Sequence, residues 1–421
     1  MFRRAVEIPR PVPAAPTSRR RALMVVESCG GGTGRHVADL CRGLLARGWD
    51  VHLLLSLGRV DALFLDRLAE LDGVRCKILP MRKGVHPSDL SVVRRARRYL
   101  RDEGPFDVVH GHSSKGGAVA RLMALGTGVP CFYTLHGFGA DDPTLPRTKR
   151  LFYLTVERLL CPATRRVIAV SPEEQRAAVR LGLGASRVVL VPNGVGASEL
   201  APREEAREAL GVDRRDLVIG FVGRLVLQKA PDVLLRAVAR VVPRVPDAKL
   251  AMVGDGPLRQ DLERLAVGLG VSERVLWLGE RDARRLTAGF DVFAMPSCKE
   301  GLPYVVLEAM SAGLPVIGTD TAGLECLVTS GVNGAVVPCG DHAALGDAIG
   351  EVLGDPAKRA RYGAASLRRV AQFSVDAMVE RTIAAYAGES VGALDTGLSQ
   401  PQAEARAPTS DELDECEAVA S

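Results

Sequence analysis

Aromatic side chains are scarce, at 4% of the 421 residues. The cores must therefore rest on Ala, Val and Leu, with few rings to fill irregular space. No apolar run reaches the roughly 18–20 residues needed to cross a bilayer as a helix. The first twenty residues, rich in Pro and Arg, lack the apolar stretch of a secretory signal. Nine cysteines are scattered without any C-x-x-C pair. That spacing argues for reduced thiols in a cytoplasmic setting, against a disulfide framework or a zinc site. No short-period repeat is present, which excludes a solenoid.

What remains is a chain 47% hydrophobic and 25% charged, long enough for two domains. Its net charge of +5 is unevenly spread. Residues 1–21 carry six Arg and one Glu, whereas 389–421 carry eight acids and the single base Arg406. With +5 in the leader and −7 in the tail, the body 22–388 is left at +7. A mildly basic body suits an anionic small molecule, a membrane surface or nucleic acid, and does not choose among them. The two ends lack periodic apolar spacing and are expected to be disordered.

From Ala22 the pattern is strand, Gly-rich loop, helix, repeated. The first series predicts strands at Ala22–Val26, Val51–Leu55, Asp107–His110, Cys131–Leu135, Val167–Val170 and Val188–Val191. Helices are predicted over Ser88–Arg101 and Gly116–Leu125, with Gly30–Gly34 as a loop. After the polar stretch Ala197–Arg215 a second series follows. Its strands are Leu217–Val222, Lys249–Val253, Val275–Leu278, Val292–Met295, Val316–Gly318 and Gly334–Val337, with a helix from about Ala230 to Val242. Short apolar runs alternating with longer helices imply parallel sheets covered on both faces. The expected fold is α/β, two doubly wound Rossmann-like domains facing a central cleft. The boundaries are a first domain at 22–195, a second at 196–371, and a helical segment at 372–388.

Chemistry concentrates in a few places. Gly30-Gly31-Gly32-Thr33-Gly34 would let backbone amides approach a phosphate, or would simply make a tight turn. It is a poor dinucleotide fingerprint: Val37 stands where the third Gly belongs, and no acid ends the second strand at Ser56. A Gly-Lys-Ser/Thr phosphate loop is also missing. In the second half, Gly223-Arg224 follows a strand and Lys229 precedes the helix opened by Pro231. Two cations beside a helix N-terminus suit a diphosphate. Further on, Pro296-Ser297-Cys298-Lys299-Glu300-Gly301-Leu302-Pro303 leads into a helix containing Glu308, in E-x7-E spacing. That spacing puts one carboxylate at the cleft mouth and the other behind it, where it could accept bonds from sugar hydroxyls.

The set Val222-Gly223-Arg224…Lys229, Gly254-Asp255-Gly256-Pro257, Glu300…Glu308-Ala309-Met310 and Gly313-Leu314-Pro315-Val316-Ile317 resembles the retaining glycosyltransferases of family 4, with the GT-B fold. The glycine run, Thr134-Leu135-His136-Gly137, Val170-Ser171-Pro172 and Pro192-Asn193-Gly194-Val195 follow in family order. The resemblance covers roughly 22–387 and implies an acceptor-side domain at 22–195, a nucleotide-sugar-binding domain at 196–371 and a 372–388 helix packing back on the first. His110-Gly111-His112-Ser113-Ser114-Lys115-Gly116-Gly117 looks like members that build bacterial exopolysaccharide, O-antigen or capsule units. It implies that Arg224 and Lys229 hold the donor diphosphate, Glu308 the ribose, and Glu300 the donor-sugar hydroxyls. Backbone amides of Gly301, Leu302 and Pro303 would lie nearby. Gly31 and Gly32 would approach the β-phosphate, and His136 the transferred sugar. It also implies a nucleotide sugar as cosubstrate, UDP first, an acceptor that is lipid-linked or an oligosaccharide, and no permanently bound cofactor.

No metal is expected, because Asp-x-Asp is missing and the two cations supply the positive charge. His110 and His112 alternate on a strand, but a metal there needs a third ligand that spacing does not identify. They are read as acceptor-site lining or a hydrogen-bonded loop. His36 is left open between helix surface and cleft, and Cys298 is read as a small filler. Arg94, Arg95, Arg97, Arg98 and Arg101 form a basic helix face, either solvated or set against anionic lipid at the inner face of the plasma membrane. No nucleic-acid module accompanies them. The alternatives are a sugar-nucleotide epimerase or phosphorylase on the same fold, and a non-catalytic sugar-nucleotide-binding protein. Retention of all four residues Arg224, Lys229, Glu300 and Glu308 argues against the last.

Overall fold

The computed structural model describes residues 19–391, apart from 138–145, 181, 183 and 197–199. Most of the basic leader, nearly all of the acidic tail and part of the 195/196 junction therefore lie outside the described residues. Seven strands make the first sheet: β1 (Arg21–Val26), β2 (Asp50–Leu55), β3 (Arg75–Ile78), β4 (Val108–His112), β5 (Cys131–Thr134), β6 (Arg166–Ala169) and β7 (Val188–Leu190). Their order is β3-β2-β1-β4-β5-β6-β7, parallel throughout. The second sheet holds β8 (Leu217–Val222), β9 (Ala248–Val253), β10 (Val275–Gly279), β11 (Val292–Met295), β12 (Val316–Thr319) and β13 (Gly334–Val337). It is also parallel, in the order β10-β9-β8-β11-β12-β13. Each sheet is buried on both faces, so central strands such as Arg21–Val26 and Ala248–Val253 carry near-continuous apolar runs.

Three expectations need correction. The strand β3 carries Arg75 and Lys77 and is half exposed, because an edge strand needs no continuous apolar run. The strand β4 continues through Gly111 to His112, buried along its length, and the next helix starts at Ser113. Gly31–Gly34 is the first turn of a helix, Gly31–Ala46, not a loop. Close approach explains one glycine there: a Cβ on Gly34 would stand 2.1 Å from the Cys29 carbonyl oxygen. Gly117 answers the same demand in the next crossover, where a Cβ would lie 2.3 Å from the Tyr133 ring. With few aromatics, the core reaches native density by bringing helices in close over glycine.

The chain crosses between lobes twice. The crossings are hydrogen-bonded to each other, Val195 N donating to Phe373 O at 2.8 Å. Ser374 then caps a helix, Val375–Ala387, by accepting from Ala377 N. Met378, Val379 and Ala385 of that helix join the first lobe's core, and Arg47 reaches its Asp376 and Glu380 at 3.2 Å each.

Candidate functional site

Each sheet has its first strand in the middle, with the chain turning opposite ways from it: β1 between β2 and β4, β8 between β9 and β11. The crevice above such a reversal is where open parallel sheets receive ligands. The glycine run follows β1 and His112 ends β4, while Gly223-Arg224 follows β8 and the Cys298–Pro303 loop follows β11. The two crevices meet. A Cβ on Gly32 would touch the Tyr304 ring of the other lobe at 3.3 Å, and the Arg35 guanidinium lies 4.7 Å from that ring's centre.

On the nucleotide side, Lys229 Nζ is ion-paired with Glu300, both side chains mostly buried. Arg224 is exposed and makes no side-chain hydrogen bond or ion pair among the described residues. Ala230, between Lys229 and Pro231, has φ 43°, one of three non-glycine left-handed residues described. The others are Ser113 at 57° and His136 at 53°, each just past a strand that ends at the cleft. Strain of this kind costs about 1 kcal/mol or more per residue and gathers where geometry is functionally constrained. The Glu300 loop is stitched to both lobes. Cys298 N donates to Gln228 O at 2.9 Å, Gln228 Nε2 to Lys299 O at 3.0 Å, and Asn193 Nδ2 to Leu302 O at 2.8 Å. Cys298 itself is exposed, not a filler, because it stands on that loop's outer side with Cys339. The Cys339 thiol is pushed up to about 12 by burial and by the neighbouring Cys298.

Glu308 is buried on the helix Tyr304–Ser311 and is bound by Arg35 of the opposite lobe, which also approaches Asp39 at 3.5 Å. The carboxylate expected to meet a ribose is thus occupied by a cation 273 residues away in sequence. Gly31, with φ 61° and open space where a Cβ would be, donates its amide to Asp61 Oδ2 at 2.6 Å. The amide expected for a phosphate is likewise held by a carboxylate.

Four histidines sit under the first crevice. His110 is satisfied at both nitrogens, by Tyr386 OH at 2.7 Å and Thr134 Oγ1 at 2.8 Å, so it locks the C-terminal helix to the sheet. His112, on the same face of the strand with its ring centroid 4.1 Å from that of His110, has Nδ1 3.2 Å from His136 Nε2. His36 faces inward, not to the surface, with Nδ1 3.0 Å from Asn193 Oδ1. The fold therefore brings His36 and His136 to His112, the neighbours that spacing alone did not identify. Burial drives His36 down to about 4 and holds His110, His112 and His136 well below the usual imidazole range, so all four are neutral at pH 7.

Sequence reasoning missed Arg35, Tyr304, Asp61 and Glu174. Glu174 accepts from Gly137 N at 2.5 Å and Val170 N at 3.0 Å, fixing the His136 turn, and burial raises its carboxyl. Its signal was the Ser171-x-x-Glu174 spacing of a capping box, of which only the Ser171 half forms. On the helix Asp89–Asp102, Arg94, Arg95, Arg97, Arg98 and Arg101 are all exposed, opposite buried Val92, Ala96 and Leu100.

Two Rossmann-like lobes meeting at strand C-termini, with cations and carboxylates paired along the seam, are the architecture of a GT-B glycosyltransferase. A model described as glycosyl transferase 4-like domain matches residues 31–194, and one described as glycosyl transferases group 1 matches 202–369. The chain belongs to this family, the family 4 glycosyltransferases, and is an enzyme that uses a nucleotide-sugar donor.

Among its relatives is the Escherichia coli UDP-Gal:alpha-D-GlcNAc-diphosphoundecaprenol alpha-1,3-galactosyltransferase, 33% identical over 59% of this chain and 67% of the relative. D-inositol 3-phosphate glycosyltransferase of Nocardia farcinica is 32% identical over 71% of this chain and 70% of its own. The fold matches that of Anabaena HepE, solved with UDP and glucose, at TM-score 0.75 and 23% identity, covering 87% of this chain and 98% of that one. No helix among the described residues is long and apolar enough to cross a membrane.

Proposed function

We propose that the enzyme moves a sugar from a UDP-sugar, with retention of configuration and without a metal, to a lipid-linked or oligosaccharide acceptor in bacterial surface polysaccharide synthesis. The carrying observation is Lys229 held against Glu300 beside an unpaired Arg224, at the crevice of the second sheet. The arriving diphosphate takes Lys229 and Arg224, near the N-terminus of the helix Pro231–Val241. Glu300 is thereby freed for sugar hydroxyls. Arg35 must swing off Glu308 for that carboxylate to meet the ribose, and Gly31 must exchange Asp61 for phosphate. As the bond from sugar to diphosphate breaks, the two cations offset the growing phosphate charge. The acceptor hydroxyl bonds to the same face of the anomeric carbon and passes its proton to the departing phosphate oxygen. Neutral His136 then places the sugar by hydrogen bonding, not by charge.

The E. coli relative is named for UDP-galactose and a diphosphoundecaprenol-linked acceptor, which supports both choices. A panel of nucleotide sugars, scored for thermal stabilisation and slow hydrolysis, should single out a UDP-sugar. Turnover should survive EDTA, because Arg224 and Lys229 supply the charge that a cation would. Loss on chelation, restored by Mg²⁺ or Mn²⁺, would refute the metal-free diphosphate site.

A lipid-linked acceptor requires a cytoplasmic enzyme to visit the membrane, and the exposed arginines 94 to 101 offer a surface for anionic headgroups. Flotation with liposomes should rise with anionic lipid and fall with salt. Binding indifferent to lipid charge would remove this part of the proposal.

A further inference from the structure

We propose that His36, His112 and His136 form a binding site for a transition-metal cation of the Zn²⁺ type, with one coordination position open to the sugar pocket. Each residue offers one nitrogen, and the three nitrogens lie within 4.8 Å of one another. His112 Nδ1 and His136 Nε2 are 3.2 Å apart. Two nitrogens bonded to Zn²⁺ at 2.0–2.1 Å in tetrahedral geometry stand about 3.4 Å apart, so this pair is close to that spacing before any ion arrives.

The His36 ring packs edge-on to His136, with centroids 4.5 Å apart, and its Nε2 is buried with no hydrogen-bond partner. A buried polar atom without a partner is uncommon and calls for an explanation. The orienting contact is also in place. His36 Nδ1 lies 3.0 Å from Asn193 Oδ1. A carboxamide oxygen only accepts, so Nδ1 carries the proton and Nε2 keeps its lone pair, as a metal ligand needs.

The three histidines come from three elements of one lobe: the Gly31–Ala46 helix, the end of β4 and the turn after β5. The site therefore does not require the second lobe. The donor set is all imidazole, which favours Zn²⁺, Ni²⁺ or Cu²⁺ over Mg²⁺ or Ca²⁺. Three protein ligands leave a fourth position for solvent or a sugar hydroxyl.

Because His136 is placed beside the transferred sugar, a bound cation should compete with the donor. That consequence rests on the function proposed above, whereas the coordination itself does not. The full-length, metal-free enzyme should take up one Co²⁺ with the visible bands of four-coordinate cobalt, and Zn²⁺ should bleach them. His36→Gln and His112→Gln should each weaken Zn²⁺ binding in equilibrium dialysis by at least about tenfold, while His342→Gln at an exposed position should not. Zn²⁺ should raise the donor KM at constant kcat. The wild-type cobalt spectrum needs no variant to fold, so its absence overturns the site. Zn²⁺ retention unchanged in both triad variants also overturns it. Triad-dependent binding with an unchanged donor KM would support the metal site and overturn the placement of the sugar beside His136.

Discussion

Lys229→Ala should lower turnover by at least about tenfold without unfolding the protein, and up to the roughly 100- to 1000-fold seen when one preorganised charge-stabilising donor is removed from an active site. Its Nζ is paired with Glu300 in the resting enzyme and mostly shielded from solvent, where a charge acts more strongly than on the surface. On the proposed mechanism Arg224, exposed and unpaired, is the second cation and should sustain residual activity in that variant. Glu300→Ala should lose at least about tenfold for a different reason. Lys229 is then always free for phosphate, but the sugar hydroxyls lose their charged acceptor. The two variants should therefore separate in binding. UDP itself should bind Lys229→Ala more weakly and Glu300→Ala at least as well as wild type, measurable by calorimetry. Wild-type rates in both would remove the assigned cleft.

Glu157→Ala should destabilise the first lobe by about 3–5 kcal/mol, the usual result of leaving a buried charge without its partner. Arg121 is 1% exposed and donates to Glu157 Oε2 at 2.7 Å and to Gly117 O at 2.9 Å. Its guanidinium also lies 4.2 Å from the centre of the Tyr133 ring. That arginine sits on the Ser113–Ala124 helix, directly after His112, and Glu157 on the Arg147–Leu160 helix. The pair ties both helices to β5. The double variant Arg121→Met/Glu157→Leu should recover most of the loss, because two apolar groups carry no desolvation cost.

The two tryptophans give a direct assay, since Trp49 lies in the first lobe and Trp277 in the second. In a Trp277→Phe background, the Trp49 transition of Glu157→Ala should fall on the order of 10 °C. A shift worth less than about 1 kcal/mol would show that the pair is solvated and dispensable.

The parallel architecture was legible because it is written in short-range patterns. Runs such as Leu23–Val26 and Val292–Met295 are buried on both faces, and every residue in them says so. The strand β3 was not legible, since an edge strand with Arg75 and Lys77 carries no such run. Glu300 and Lys229 were candidates from local motifs, and the fold put them in contact. Nothing local marked Arg35 as the partner of Glu308, and the hydrogen bond of His36 to Asn193 joins residues 157 apart. The segment His110–Gly117 stood out in sequence only by family resemblance, and the fold gives Gly117 a packing reason, since a Cβ there would lie 2.3 Å from the Tyr133 ring.

By itself, then, the sequence determined the doubly wound lobes, the order along the chain of every strand but β3 and the residue types at those strands' C-terminal ends. Periodicity and turn chemistry act over a few residues, and one chain displays them in full. Tertiary structure decided which charges meet across the cleft, which histidine is locked by Tyr386, and which three bring ring nitrogens within 4.8 Å of one another. Those depend on distances between elements far apart in the chain, set by packing and lobe closure, and no spacing in the sequence encodes them.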